Sequence, residues 1–457
     1  MTEPAEVDVI VLGAGPAGEV AAGRLGDRGL EVAIVEDRLV GGECSYWGCM
    51  PSKALLRPAQ VLAEARRVPG AAQAVSGTLD VRAVLTRRDE VIHDLDDAVQ
   101  LPWLEDRGIR LVRGHGRFVG EREVAVGDAR LRARRAVIVA VGTAPAIPPV
   151  PGLREAAPWT NREAVTAHAV PASLVVLGAG PVGVELAWAF ASLGSEVDLL
   201  EAAPRILLRE EAFAAEQVGD GLRSVGVRVH EGVEVTRVAR GENGRVTVQL
   251  ADGAPLEAEE ILVASGRRPL TDDLGLEAIG LPAGGPIEVG DDLRVPGKDW
   301  LYAVGDVNGR SLLTHMGKYQ ARVASDLIAG ADDRRARWEL PPPRVTFTEP
   351  QVAAVGHTAD SAREAGLNVR CVDVSTDGTA GASFTGKGTG GTSRIVVDED
   401  RRVLVGATFV GTEVAEWVHA ATIAIAGEVP MDDLYHTVAP FPTRSEVWLK
   451  LLEGYGL

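Results

Sequence analysis

Two stretches of this chain share one pattern of apolar and polar positions. Residues 7–12 form a mostly apolar run, residues 13–18 read Gly-Ala-Gly-Pro-Ala-Gly, a helical pattern extends to about Asp27, and a second apolar run ends at Glu36. Short apolar runs bounded by glycine predict buried strands, and the longer periodic segment between them predicts a helix. Residues 174–201 repeat the unit. Gly13, Gly15, Gly18 and Glu36 have counterparts at Gly178, Gly180, Gly183 and Glu201, each 165 positions on. Elsewhere the patterning predicts helices over 52–67 and about 80–106, a buried strand at 136–143 and hairpin-like strands over 227–264 around Glu242-Asn243-Gly244. Further buried strands are expected at 261–265 and 301–304. After Pro341-Pro342-Pro343 come strands at 344–348, 369–373, 392–397 and 403–410, helices near 358–366, 412–427 and 443–453, and a flexible Gly/Thr-rich loop at 376–392. The fold class is therefore α/β, with two Rossmann-like (βαβ) dinucleotide-binding domains plus a C-terminal α+β domain.

The glycine spacing has a physical reading. The first glycine makes the turn, the second lets backbone approach a pyrophosphate, and the third lets helix pack on strand, while the helix N-terminus faces the phosphate charge. Pro16 and Pro181, just after the second glycine of each turn, suit a first helical position. Glu36 and Glu201 end their units where a carboxylate accepts from ribose hydroxyls and repels a 2′-phosphate, which favours NADH over NADPH at the second turn. Arg205 lies close enough in sequence to complicate that preference.

Candidate chemistry follows directly after the first unit. Cys44 and Cys49, two of only three cysteines, sit in Gly41-Gly42-Glu43-Cys44-Ser45-Tyr46-Trp47-Gly48-Cys49-Met50-Pro51-Ser52-Lys53. A disulfide needs Cα atoms within roughly 7 Å, which this spacing meets if Cys44 lies on a tight turn and Cys49 opens a helix. A helix N-terminus there favours a thiolate. Zinc binding is the competing reading, but no second Cys-x-x-Cys or histidine cluster accompanies the pair. Cys371 reads as a small core hydrophobe. A net charge of −18 and a pI near 5.0 leave no basic excess for nucleic acid or an anionic membrane. An acidic start without a signal-peptide pattern, and no apolar run long enough to span a bilayer, point to a cytoplasmic protein.

Taken together, Gly13 to Gly18 with Glu36, the Cys44 to Lys53 motif, Gly142-Thr143, Gly178 to Gly183 with Glu185, and Gly305-Asp306 resemble the flavin-dependent pyridine nucleotide-disulfide oxidoreductases over essentially the whole chain. That family includes dihydrolipoyl dehydrogenase, glutathione reductase and mercuric reductase. The resemblance implies an FAD-binding domain from 1–150 and 266–340, an NAD(P)H-binding domain at 151–265 and a dimerisation domain at 341–457, in a homodimer. It implies FAD contacts from Gly13, Gly15, Pro16, Ala17, Gly18, Glu36, Asp37, Gly42, Glu43, Gly142, Thr143, Asp306 and His315. The NAD(P)H contacts would be Gly178, Gly180, Pro181, Val182, Gly183, Glu201, Gly266 and Arg267. By the same resemblance Cys49 is the flavin-side thiol, Cys44 the interchange thiol, and Lys53 with Glu185 an ion pair beneath the flavin.

One departure bears on the substrate. Disulfide-reducing members carry His-Pro-Thr-x-x-Glu near the C-terminus, and this chain reads Phe441-Pro442-Thr443-Arg444-Ser445-Glu446. Glu446 persists, the acid–base histidine does not, and His436 is the nearest imidazole in sequence, with a surface position its simpler reading. Phe-Pro here is similar to mercuric reductases, although no C-terminal cysteine pair follows. Tyr46 and Trp47 would either line a narrow acceptor site or pack within the fold. The expected activity is NAD(P)H-dependent reduction of a disulfide, quinone or metal ion, the acceptor being a small molecule or small thiol. Dihydrolipoyl dehydrogenase, a mercuric reductase-like enzyme and a slow redox-sensing flavoprotein are the alternatives.

Overall fold

Val9, Ile10 and Val11 have no solvent exposure at all, because the strand that carries them, Ala5–Leu12, is flanked by parallel strands on both sides and covered on both faces. The computed structural model describes residues 4–331, 333–339 and 341–457. Residue 340, where one expected boundary falls, lies outside them. The chain divides into two units, one of Met1–Pro51, Arg88–Ala146 and Gly266–Trp338, the other of Ser52–Arg87, Ile147–Ser265 and Glu339–Leu457.

In the first unit, strands Arg110–Arg113, Val32–Glu36, Ala5–Leu12, Ala129–Val139 and Lys298–Ala303 run parallel in that order. A hairpin of Gly116–Gly120 and Glu123–Val126 pairs antiparallel with the start of 129–139. Helices Pro16–Gly26 and Thr314–Ile328 pack against one another. In the second unit, Arg228–Glu231, Glu196–Glu201, Ser173–Leu177 and Glu260–Val263 form a smaller parallel sheet. A five-stranded antiparallel sheet follows in the order Arg344–Thr346, Gln351–Gly356, Val403–Gly411, Thr392–Asp398 and Val369–Ser375, with helices Val418–Ala426 and Val447–Tyr455 against it. A third, three-stranded antiparallel sheet is made by Val235–Arg240, Val246–Leu250 and Leu256–Ala258. Buried carboxylates just before residue 212 tie their segment to the region of the five-stranded sheet, through residues 344, 359 and 394. Glu210 accepts from Arg344 Nε at 2.6 Å, and Glu211 accepts from Arg394 Nη1 at 3.0 Å and from Ala359 N at 2.8 Å.

Several expected elements differ. The helix expected over 80–106 stops at Val91, because His93, Asp94 and Leu95 take left-handed φ values of 51°, 51° and 61° and the Asp96 side chain accepts from Ala98 N. The helix expected from 412 begins at Val418, after Glu413 at φ 56°. Gln351–Gly356 is an additional strand, buried along its whole length and too rich in alanine to show alternation. The segment expected as a flexible loop, 376–392, alternates exposed residues with buried anchor points. Thr376 and Thr389 are buried, and a Cβ on Gly381 would lie 2.2 Å from the Thr443 carbonyl carbon.

The two glycine turns share the same steric logic. Gly13 and Gly178 hold φ of 98° and 103°, closed to most L-residues. A Cβ on Gly18 would lie 1.9 Å from Gly13 O, and one on Gly183 would lie 1.8 Å from Gly178 O. Gly180, by contrast, has nothing within 4 Å of its Cβ position. Gly183→Ala should therefore destabilise the protein by about 2 kcal/mol or more, whereas Gly180→Ala leaves thermal stability unchanged. Equal melting temperatures for the two variants would contradict this account.

Candidate active site

Gly41 and Gly42, at φ 113° and 60°, turn the chain into a one-turn helix, Gly42–Tyr46, that carries Cys44. Cys44 thus sits on a short helix rather than on the tight turn itself. A Cβ on Gly42 would come within 2.6 Å of Gly15 Cα, so the cysteine segment abuts the first glycine turn. Cys49 opens the helix Cys49–Arg67, with Pro51 in its first turn. Both cysteines are thiols. A hydrogen bond to Cys49, burial and the charge on Cys49 push the Cys44 thiol far up, while the Thr314 hydroxyl and Lys318 pull it down. Cys49 Sγ lies 3.5 Å from Thr314 Oγ1. Tyr46 is only 1% exposed and lies beside Trp47, so its ring packs within the fold rather than lining an acceptor site, and burial pushes its hydroxyl up to about 12.

Asp306 lies at the end of strand Lys298–Ala303, where open α/β sheets present side chains to ligands. Its Oδ2 accepts from Thr143 Oγ1 at 2.9 Å, and burial raises its pKa. Arg267 donates from Nε to Thr143 Oγ1 at 2.7 Å and from Nη2 to Thr143 O at 3.0 Å, and pairs with Glu43 at 3.3 Å. Arg267 and Gly266, grouped by sequence with the second dinucleotide turn, belong to the first unit, where Arg267–Pro269 pairs with Thr143–Pro145. Gln320, which lies in no sequence motif, sets the Asp306 turn. Its amide oxygen accepts from Gly305 N at 2.6 Å and from Asn308 Nδ2 at 2.8 Å.

The acids that close the two βαβ units do the same local work. Glu36 accepts from Ala14 N at 2.7 Å and Arg38 N at 2.8 Å, and Glu201 accepts from Ala179 N at 2.7 Å and Ala203 N at 2.8 Å. Each clamps its glycine turn. Arg205 is bound locally as well, donating to the carbonyls of Leu207, Leu208 and Glu210 at 3.1, 2.9 and 2.8 Å. Asp37 and His115 lie beside the first turn's acid, 3.7 Å apart, and Val182 and His315 are exposed. Gly15 and Gly180, the N-cap residues of helices Pro16–Gly26 and Pro181–Ser192, supply no capping side chain, which leaves the helix starts suited to phosphate groups.

In the second unit Lys53 Nζ lies 2.7 Å from Glu185 Oε2 and 4.6 Å from the Phe347 ring centroid, while Glu185 Oε1 accepts from Phe347 N at 2.9 Å. Glu185, 5% exposed, is therefore satisfied on both oxygens. Phe441 is 76% exposed, Val438 89%, and His436 is exposed against Tyr435. Glu446 Oε2 is buried with no hydrogen-bond partner among the described residues. Cys371 is half-buried at the edge of a small cluster around Val403 and Val405, not in a core interior. No helix among the described residues is long and apolar enough to cross a membrane.

Two Rossmann-type turns and an adjoining thiol pair define a dinucleotide-dependent dithiol oxidoreductase. Residues 7–324 match the pyridine nucleotide-disulphide oxidoreductase model and residues 342–452 its dimerisation-domain model. The chain belongs to this family, whose members use FAD and NAD(P)H. It is 34% identical to a dihydrolipoyl dehydrogenase of Thermus scotoductus over 98% of this chain and 97% of that protein, and 29% identical to a mercuric reductase of Lysinibacillus sphaericus over 96% and 81%. A solved Cu(II) complex of the HOCl-induced flavoprotein disulfide reductase RclA from Escherichia coli superposes with a TM-score of 0.87 at 26% identity, covering 98% of this chain and 99% of that one.

One half-buried acid has no counterpart among the expected site residues. Glu19, in the first turn of helix Pro16–Gly26, has its pKa raised to about 7 by burial and by Glu36, against the pull of Lys318. The folded state holds this proton more tightly than the unfolded chain does, so the stabilisation is complete below the ordinary glutamate range and is lost as pH rises through about 7. Glu19→Gln should melt like the parent near pH 4 and at a higher temperature near pH 8. Parallel melting-temperature profiles for parent and variant would rule the effect out.

Proposed function

We propose that the chain is an NADH-dependent FAD enzyme that passes electron pairs through Cys44 and Cys49 to a small disulfide, quinone or metal-ion acceptor. The observation that carries this is the thiol pair itself, mutually hydrogen-bonded on a segment locked against the first glycine turn. In this reading residues 1–150 and 266–340 hold FAD, 151–265 hold the nicotinamide coenzyme, and 341–457 form the interface of a homodimer, which the dimerisation-domain match supports. The first glycine turn, Glu36, Thr143 and Asp306 fit FAD, and the second turn with Glu201 fits NADH. FAD, when bound, supplies the two-electron carrier between nicotinamide and sulfur. A Cys44–Cys49 disulfide takes up two electrons and two protons to give two thiols. Reducing the acceptor re-forms the S–S bond, and the two protons pass to a disulfide or quinone acceptor or, with a metal ion, to solvent. We place the enzyme in the cytoplasm, where a close cysteine pair serves redox catalysis more often than it serves as a structural cross-link.

Phe441 bears on the acceptor. Without an imidazole at that position a dithiol substrate loses its proton-transfer partner, at a cost of about 10² to 10⁴ in rate. That favours an acceptor needing no such transfer. It also supports a second, mercuric reductase-like reading, since Phe-Pro at this position is similar to those enzymes.

Anaerobic titration with NADH should consume about four electrons per flavin, two more than flavin alone accepts, with a long-wavelength absorption band. Cys44→Ala should keep its flavin, take up only two electrons and lose acceptor reduction; two-electron uptake by the parent protein would sink the thiol role. The coenzyme preference rests on Glu201 and on the capture of Arg205 by three carbonyls. NADH should exceed NADPH in kcat/KM by about tenfold or more. Arg205→Ala should lower the melting temperature without changing that ratio, and a weakened NADPH reaction in this variant would show that the guanidinium reaches the coenzyme after all.

A further inference from the structure

Residues 37–41 carry the chain from Glu36, which closes the first βαβ unit, to Gly42, which opens the helix of Cys44. On one side they rest on the first glycine turn: Gly41 N donates to Ala14 O at 2.8 Å, and Gly42 packs on Gly15. On the other side two side chains from elsewhere in the unit hold them. Val40 N donates to Asp97 Oδ2 at 2.7 Å, and Arg38 O accepts from Arg113 Nη1 at 2.9 Å. Arg113 Nη2 pairs with the same Asp97 oxygen at 2.6 Å, so carboxylate and guanidinium form one bracket around this stretch of main chain.

The fold delivers both partners. The parallel register that sets Glu36 beside Arg113 leaves the arginine at the point where the chain quits the sheet. Asp97 comes from the segment after helix Val81–Val91, in which His93, Asp94 and Leu95 all take left-handed φ. Such conformations cost free energy and persist only where surrounding contacts over-determine them. Apolar burial does not supply those contacts within the turn, since Leu95 is 37% and Val99 55% exposed. Of residues 93–99 only Asp97 is buried, and a carboxylate so placed requires the donor and the cation it finds here.

We propose that Asp97 and Arg113 are positioning residues for the thiol pair: their bracket fixes the segment that leads into the helix of Cys44, and so sets how readily Cys44 and Cys49 join. With the bracket in place the dithiol is confined before any bond forms. Without it the segment from Arg38 to Tyr46 gains freedom that closing the S–S bond takes away again, and the disulfide becomes the less favoured state.

The proposal deepens the functional reading, in which this pair carries the electrons, but its test needs neither NADH nor an acceptor. The flavin-bound protein is equilibrated anaerobically in mixtures of reduced and oxidised dithiothreitol, which exchanges two electrons and two protons with the pair. Free thiols are trapped with iodoacetamide, and the Cys44–Cys49 disulfide is counted by mass spectrometry. Asp97→Ala should lower the equilibrium constant for disulfide formation about tenfold, which raises the midpoint potential by about 30 mV. Arg113→Gln should shift it the same way, and the double variant should shift no further than Asp97→Ala alone, because the two side chains act as one. Asp96→Ala, which removes the acceptor of Ala98 N and leaves the bracket whole, should lower the melting temperature and keep the parental potential. A parental potential in Asp97→Ala, or an equal shift in Asp96→Ala, overturns the proposal. Should Asp97→Ala lose its flavin, a parental potential in Arg113→Gln overturns it in the same way. Two-electron uptake by the parent protein in the NADH titration sinks the functional reading and leaves this potential measurable, so the two fail separately.

Discussion

The structure depends on the approach of a helix to a strand through a carbonyl. In both nucleotide-type turns the third glycine lies so near the carbonyl oxygen of the first that no side-chain atom fits between them. That contact fixes the angle at which the helix leaves the strand, and with it the direction of the helix's opening N–H groups. In the first unit the consequence extends further. Gly42 packs on Gly15, so the turn also sets where the cysteine segment lies, and the one-turn helix bearing Cys44 follows from it.

A chain with 65 acidic residues against 47 basic ones would be expected to spend its carboxylates on solubility. Many of the buried ones instead hold backbone. Glu36 and Glu201 clamp the glycine turns, Glu185 accepts from Phe347 N as well as Lys53, and Glu211 accepts from Ala359 N as well as Arg394. An ionised carboxylate with two oxygens can accept from a main-chain N–H and a cation together, which a neutral amide does less well. The excess acidity is thus partly structural. It anchors loops whose glycine content would otherwise leave them mobile.

The repeated βαβ units, the thiol pair and the end-of-strand Asp306 were all legible in the sequence, because each depends on residue types with narrow physical roles: glycine where no Cβ fits, cysteine at fixed spacing, an acid closing an apolar strand. What escaped were features that depend on tertiary partners. Gln320 and Thr314 are ordinary helix residues until the fold brings one to Gly305 and the other to Cys49. Strand Gln351–Gly356 lacks alternation because it is buried throughout, and the break after Val91 comes from three successive left-handed residues that no glycine announces. The partner of Arg267 was hidden for a similar reason. Its neighbours in sequence end a strand of the second unit, yet its side chain bonds Thr143.

Arg205 carries a lesson for redesign. Its guanidinium serves three main-chain carbonyls of the loop that follows Glu201. Giving this loop a charge that can meet an anion is thus not a matter of adding a cation, since one already stands there. The existing arginine would have to be relieved of its carbonyls by a substitute donor before it could turn toward a new anion, and a grafted second arginine would meet a loop whose shape depends on the first staying where it is.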